Sequence, residues 1–248
     1  MQWVDLNCDL GEGGPHDAAI MPLITSANIA CGGHAGDEAT MRATIELALK
    51  HGVAVGAHPG LADRANFGRI ERPLTAGEVR QLVLDQAEVL QGIAEAMGAR
   101  LAHVKPHGAL YNMAARDVTI AHAIAAAVYE GDSRLALVGL AGGRLIEAGR
   151  AAGLRVMEEV FADRTYQADG SLTPRNRPDA LITDETAAVG QVLRMVREGR
   201  VRATDGSDVP IQADTICLHG DGLRAAEFAR LVAEALQAAG VEIKRPGG

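Results

Sequence analysis

Short runs of apolar and β-branched residues alternate along this chain with longer segments in which apolar positions recur every three or four residues. The short runs fall at residues 3–8, 27–31, 53–57, 101–105, 135–140, 155–161 and 215–219, and each reads as a strand. Between them, Val79, Leu82, Val83, Leu90, Ile93 and Met97 form one helical stripe that starts at Thr75. Thr75 and Glu78 have the T-x-x-E spacing of a capping box, and Gly98 supplies the stop. A second helix starts near Asp37, is expected to turn Met41, Ile45 and Leu49 inward, and ends at Gly52. Two more span 184–198 and 223–239, closed by Gly199 and Gly240. Strand and helix in alternation predict a parallel sheet with helices outside. About seven such units suit an α/β fold, a TIM-like (β/α) barrel, distorted or incomplete, with residues 1–248 as one domain. An open doubly wound sheet would gather its ligands at one switch point, whereas here polar residues follow nearly every strand. Irregular stretches at 61–74 and 167–181 are expected over the barrel mouth. Residues 201–213, centred on Asp205-Gly206, read as a small hairpin.

Period two along the first strand places Asp5, Asn7 and Asp9 on one side and Leu6, Cys8 and Leu10 on the other. Polar groups turned into a barrel are costly to bury unless they bind each other or a ligand. Of the eight histidines, His34, His58, His107 and His219 stand near glycines at strand ends. Strand C-termini converge on one face of a barrel, so these four are expected to share a cavity. The same spacing of two pairs Lys105 with His107 and His219 with Asp221. Carboxylates beside imidazoles supply general acid/base pairs. A lysine there can stabilise an oxyanion or a phosphoryl oxygen, or pair with Asp5 or Asp9. The catalytic candidates are therefore Asp5, Asn7, Asp9, His58, Lys105, His107, His219 and Asp221. Arg164 has a fork that matches a carboxylate, with Asp163 as its partner or as a base. Arg64 and Asn66, in the loop after His58, carry a weaker form of the same role, and Asn28 and His34 join them as substrate-binding candidates. His103 is expected only to pack. Asp5, His34, His58 and His107 have ligand chemistry suited to zinc, but no H-x-x-x-H or similar spacing supports such a site, and no metal ligands are assigned.

Composition narrows the partners. Hydrophobic residues make up 48% and charged residues 23%, which excludes disorder and collagen-like repeats. Lys and Arg number 24 against 32 Asp and Glu, a net charge of −8, which argues against nucleic acid or an anionic membrane as the main partner. No apolar run is long enough to span a bilayer, and Met1-Gln2-Trp3-Val4-Asp5 has no basic or apolar leader. Cys8, Cys31 and Cys217 form no Cys-x-x-Cys pair, so reduced thiols in a cytoplasm are expected. There is no G-x-x-x-x-G-K-[ST] loop, no G-x-G-x-x-G after a strand and no G-x-S-x-G elbow.

Six motifs in order carry a resemblance that covers essentially the whole chain. They are Asp5-Leu-Asn-x-Asp-Leu-Gly-Glu12, Ser26-Ala-Asn-Ile-Ala-Cys-Gly-x-His-Ala-Gly-Asp37, Gly56-Ala-His-Pro59, His103-Val-Lys-Pro-His-Gly108, Val160-Phe-Ala-Asp-Arg164 and Cys217-Leu-His-Gly-Asp-Gly222. Together they resemble the LamB/YcsF family. The resemblance implies a distorted barrel related to glycoside hydrolase and polysaccharide deacetylase barrels. It also implies ATP-dependent opening of 5-oxoproline (pyroglutamate) to L-glutamate, with magnesium as the usual counter-ion of ATP and with 5-oxoprolinase subunits B and C as separately encoded partners. Two other readings stand beside it: a metal-dependent amide or N-acetyl hydrolase that needs no ATP, and a lactam-binding subunit that is silent without its partners. Alanine at Lys105 or His107 is expected to lower turnover by orders of magnitude with folding intact.

Overall fold

In chain order the strands are β1 (Trp3–Leu10), β2 (Ser26–Ala30), β3 (Ala54–His58), β4 (Leu101–Val104), β5 (Ala136–Leu140), β6 (Arg155–Phe161), β7 (Arg200–Arg202), β8 (Asp208–Pro210), β9 (Thr215–Leu218) and β10 (Glu242–Ile243). They come from a computed structural model that describes residues 2–218 and 224–245. Strands β1 to β6 pair in sequence, all parallel, and β9 lies between β6 and β1. Seven strands therefore close into a barrel, which is complete where the sequence left an incomplete one open. The closing register sets Thr215 beside both Asp5 and Glu159. Strand β10 pairs with Trp3 and Val4 at the start of β1. Strands β7 and β8 form the expected antiparallel hairpin.

The caps fall where the side chains direct. Thr75 and Glu78 make the reciprocal capping box that opens the helix Ala76–Ala96. Asp37 accepts from the Thr40 amide at the start of Glu38–His51, which stops at left-handed Gly52. That helix buries Met41, Thr44, Ile45 and Ala48, but Leu49 is 47% exposed rather than inward. The buried stripe passes through Ala48, and Leu49 is turned about 100° further round. The Ala-rich helix Val118–Asp132 buries seven residues, Ile120 and Ala123 among them. It packs on Ala76–Ala96 and on Arg144–Ala151.

Side chains on alternate strand positions divide the protein into two interiors. Val4, Leu6, Cys8 and Leu10 face the helices and belong to the main apolar core. The barrel's own interior is largely polar: Asp5, Asn7, Ser26, Asn28, His103, Glu159 and Thr215 are all buried there. A small apolar plug of Ala136, Val138 and Met157 accompanies them. All three cysteines are buried and free. Among the described residues no helix is long and apolar enough to cross a membrane.

Candidate active site

Asp5, deepest of the row on β1, accepts from the hydroxyls of Thr25 and Ser26 at 2.7 Å each and from Thr215 at 2.5 Å. Burial pushes its carboxyl up to about 6 against the pull of those hydroxyls. Asn7, one step higher, donates to Thr215 Oγ1 and to Glu159 Oε1, and accepts from Asn28 Nδ2 at 2.7 Å. Asn28 also donates to Asp9 Oδ1, and its own Oδ1 accepts from His103 Nε2 at 2.7 Å. His103 lies over Gly56, where any Cβ would collide with the ring, so a glycine on β3 is what admits a histidine from β4. His103 thus belongs to the polar interior rather than to an apolar packing layer. Burial, followed by the charge on Lys105, pulls its pKa down to about 3, so the ring is neutral.

Lys105 closes this column from above. Its ammonium donates to Asp9 Oδ1 at 2.9 Å and to Asn7 Oδ1 at 3.2 Å, pairs with Glu159 Oε1 at 2.8 Å, and lies 3.3 Å from Cys217 Sγ. The partner carboxylates are therefore Asp9 and Glu159; Asp5 lies about 13 Å down the strand from Asp9 and is not among them. Burial alone would lower the lysine's pKa, but Asp9 and Glu159 outweigh it and hold the group charged. Burial likewise works to raise Asp9, and the charges of His58 and Lys105 overcome it, so the carboxyl ionises well below the usual range.

At the strand ends three of the four grouped histidines meet. His58 Nε2 lies 3.3 Å from Asp9 Oδ2 and 2.9 Å from His107 Nδ1. His34 stacks on His107 with ring centres 3.6 Å apart. Glu12, which the sequence reading did not single out, places Oε1 3.0 Å from His34 Nε2 and 3.5 Å from His107 Nδ1. Burial, then the nearby Asp9 charge, raises Glu12 to about 7. Burial with the neighbouring imidazoles lowers His107 to about 2 and His34 to about 3. Glu12, His34, His58 and His107 form a group able to hold a metal ion.

Asp9, Glu12, His58, Lys105, His107 and Arg164 line one cavity of about 1050 Å³. Its outer wall adds Arg69, Arg144 and Arg175. A second cavity, of about 770 Å³, opens at the base of β4 to β6 and has no histidine in its wall, so the chemistry belongs to the first. Asp5, Asn7 and Asn28 lie beneath the cavity and support it without lining it. His34 sits behind its wall. Arg164 reaches the cavity, yet its guanidinium also donates to the carbonyls of Thr173 and Ala180 and so anchors the loop after β6. Asp163 does not line the cavity; its charge acts on Arg164. Arg64 and Asn66 are placed elsewhere as well. Arg64 donates to the carbonyls of Gly32 and Gly36, Asn66 bonds Asp63, and neither is among the residues that line the cavity. His219 and Asp221 lie outside the described residues.

Two groups went unnoticed in the sequence. Glu159 is the inward acid of the Glu158-Glu159 pair, set between Met157 and Phe161 on its side of the strand, a signal that period two would have revealed. Glu12 stands past the strand's end, beyond a left-handed Gly11, where alternation no longer applies.

The family model for LamB/YcsF matches residues 4–247. The chain belongs to the LamB/YcsF family. It is 57% identical to the 5-oxoprolinase A subunit of Tolumonas auensis, over 98% of this chain and 99% of that one. The lactam utilization protein of Thermus thermophilus is 48% identical and superimposes with a TM-score of 0.93 over 99% of this chain and 100% of its own. The catalytic domain of a peptidoglycan N-acetylglucosamine deacetylase from Eubacterium rectale shares the barrel, with a TM-score of 0.54 at 13% identity, over 99% of this chain and 88% of that one. In this LamB/YcsF member the resemblance to deacetylase-type barrels is thus one of fold.

Proposed function

We propose that this chain is the lactam-opening subunit of an ATP-dependent 5-oxoprolinase, converting 5-oxoproline to L-glutamate. The observation that carries the reading is the joined set Asp9–His58–Lys105 at the mouth of a barrel whose relatives are named as the A subunit of 5-oxoprolinase. A five-membered lactam is resonance-stabilised and unstrained, so water alone attacks it slowly. Transfer of the γ-phosphoryl group of ATP to the lactam oxygen gives ADP and turns that oxygen into a leaving group. Water then adds to the same carbon. The C–N bond breaks with the ring nitrogen taking a proton, and phosphate departs on hydrolysis of the C–O–P link.

In this account Asp9 and His58 position and deprotonate the water. Lys105 stabilises charge that develops on oxygen; His107, expected from its spacing to share that role, is neutral, with Nε2 turned to the Phe67 carbonyl, and shapes the cavity wall instead. The Arg164 guanidinium, with those of Arg69, Arg144 and Arg175 at the outer wall, receives the substrate carboxylate. Asp5 and Asn7 hold the column that fixes Lys105. His219 and Asp221 keep the acid/base role that their spacing implies. ATP enters with magnesium, subunits B and C complete the assembly, and the cytoplasm is the compartment. The test is glutamate release from 5-oxoproline by the purified chain, alone and with both partner subunits, with and without ATP. Glutamate only with ATP and the partners supports this reading. Release by the chain alone without ATP overturns it in favour of a simple amide hydrolase.

A further inference from the structure

Three acceptor atoms face one another at the barrel mouth: Glu12 Oε1, His58 Nε2 and His107 Nδ1. The two nitrogens are 2.9 Å apart, and the carboxylate oxygen is 3.5 Å from His107 and 4.0 Å from His58. The opposite nitrogen of each ring decides what the near one presents. His58 Nδ1 lies 2.7 Å from the carbonyl of Lys105, and His107 Nε2 lies 2.9 Å from the carbonyl of Phe67. A carbonyl only accepts, so each of these far nitrogens carries the hydrogen, and the space between the near nitrogens takes a cation: a proton on His58 Nε2, facing Asp9 Oδ2 at 3.3 Å and His107 Nδ1 at 2.9 Å, or a metal ion in that proton's place. Two lone pairs and a carboxylate oxygen pointing into one space repel unless a cation lies between them.

His34 has a different role. Its ring is parallel to that of His107, at 4° and 3.6 Å, and two stacked rings do not aim in-plane lone pairs at one point. Its Nδ1 is buried without a partner while Nε2 lies 3.0 Å from Glu12. A hydrogen on Nε2 satisfies both facts, because Nε2–H donates to the carboxylate and Nδ1 is left as an acceptor rather than a stranded donor. Phe67 adds a second observation. Among the described residues it is the one non-glycine with positive φ, 55°, and its carbonyl is the group that orients His107. Backbone strain of that kind persists where surrounding structure imposes it, commonly at ligand sites.

We propose that Glu12, His58 and His107 hold a single divalent ion of the zinc type, with His34 as a positioning residue for Glu12. Two imidazoles and one carboxylate suit zinc rather than magnesium or calcium, which prefer all-oxygen sets. Bonds of about 2.0–2.2 Å to such an ion set ligand atoms about 3.4 Å apart in a tetrahedron, within the observed 2.9 to 4.0 Å. Each ligand has an outer partner, respectively His34, the Lys105 carbonyl and the Phe67 carbonyl, as metal ligands commonly do. Three protein ligands leave a position open to the cavity, and under the lactam reading, on which this role rests, that position would hold the water that adds to the lactam carbon, with Asp9 beside His58 to take its proton.

The test uses the full chain, stripped by a chelator and titrated with Co²⁺, with visible absorption and metal content after desalting as readouts. One Co²⁺ per chain, displaced by Zn²⁺, is expected. His107→Ala and Glu12→Ala lose stoichiometric binding, and His122→Ala, on an exposed helical surface, keeps it. His34→Asn keeps the stoichiometry but weakens affinity about 10- to 100-fold. No retained Co²⁺ in the wild type overturns the site and leaves a shared proton between His58 and His107. Full binding by His107→Ala overturns the ligand set, and loss of stoichiometry in His34→Asn overturns the role given to His34. Should a variant fail to fold, the proton spectrum of the Co²⁺-loaded wild type decides: two paramagnetically shifted, exchangeable ring N–H signals are expected, and none or three overturns the assignment. Metal content is read without substrate, so it stands or falls separately from glutamate release.

Discussion

Lys105 on the β4 side and Glu159 on β6 meet across the barrel axis at 2.8 Å, with Asp9 of β1 completing the contact at 2.9 Å. One ammonium therefore joins three strands and pairs with two carboxylates at the point where the polar column ends and the cavity begins. The side chains of Lys105 and Glu159 are 3% and 0% exposed, so neither is a solvated surface charge. The pair both seals the barrel interior and holds the group placed nearest the chemistry.

That double role separates two substitutions that the sequence treats alike. Lys105→Met leaves Asp9 and Glu159 facing each other without a cation, and breaking a buried pair costs about 3–5 kcal/mol. A clear fall in the urea midpoint is expected together with loss of turnover. The double variant Lys105→Met/Glu159→Gln should regain at least about 1 kcal/mol, since the two sites are coupled. His107→Ala, at the cavity wall, should lower turnover by about 100-fold or more with a much smaller change in the midpoint. Equal midpoints for wild type and Lys105→Met would show that the ion pair does not support the fold.

The strand row Asp5-Asn7-Asp9 was legible because alternation is a local rule, and closure into a barrel turned one side of it inward. Capping residues such as Thr75 and Asp37 were legible for the same reason. The depth of each residue was not. Asp5 and Asp9 look equivalent in sequence, yet four residues of strand rise put one beneath the site and one in it. The helix Val118–Asp132 went unnamed because it is buried on most sides and shows no clean apolar stripe. Glu12 owes its place to contacts with histidines from three other segments, which no local pattern records. In sequence Arg64 and Arg164 show only a fork that suits a carboxylate, with Asp163 as the local partner of Arg164. Their carbonyl partners are distant in sequence or lie within an irregular loop, so the bonds they make were invisible.

Gly56→Ala tests how the barrel interior is filled. A methyl group there would press on the His103 ring, which has no free space because Asn28 fixes Nε2 and the ring is buried. Overpacking of this kind costs about 1–3 kcal/mol, and displacement of the ring also breaks its bond to Asn28. Thermal unfolding should shift down by several degrees, and Gly56→Ala/His103→Ala should be less destabilised than the sum of the two single changes. Simple additivity would mean that the two residues do not compete for the same space.

Arg164 reaches both the cavity and the loop after β6, so its replacement has two separable effects. Its Nη2 holds the Thr173 carbonyl at 2.6 Å, and the side chain is buried. Arg164→Ala should open residues 165–181 to limited proteolysis and lower kcat/KM for 5-oxoproline. Arg164→Lys supplies charge without the fork, so it should restore little of the protection. Unchanged cleavage in the alanine variant would remove the anchoring role.

Asp5 provides a pH dependence that is independent of the cavity. Burial raises its carboxyl from the ordinary 3.8 to about 6, opposed by the hydroxyls of Thr215, Ser26 and Thr25 and assisted by the charge of Glu159. A carboxyl with a higher pKa folded than unfolded binds its proton more tightly in the native state. Its contribution is fully present below the unfolded value and is lost as pH rises through about 6. The span corresponds to about 3 kcal/mol. Asp5→Asn keeps the shape and cannot titrate, so the stability difference between wild type and variant isolates this one group. Wild type should gain on Asp5→Asn by about 2 kcal/mol in urea unfolding as pH is lowered from about 7 to about 4. A difference that stays constant over that range, or that changes in the opposite sense, would mean that Asp5 is ionised in the folded barrel as readily as in the unfolded chain, and that the three hydroxyls rather than burial set its charge.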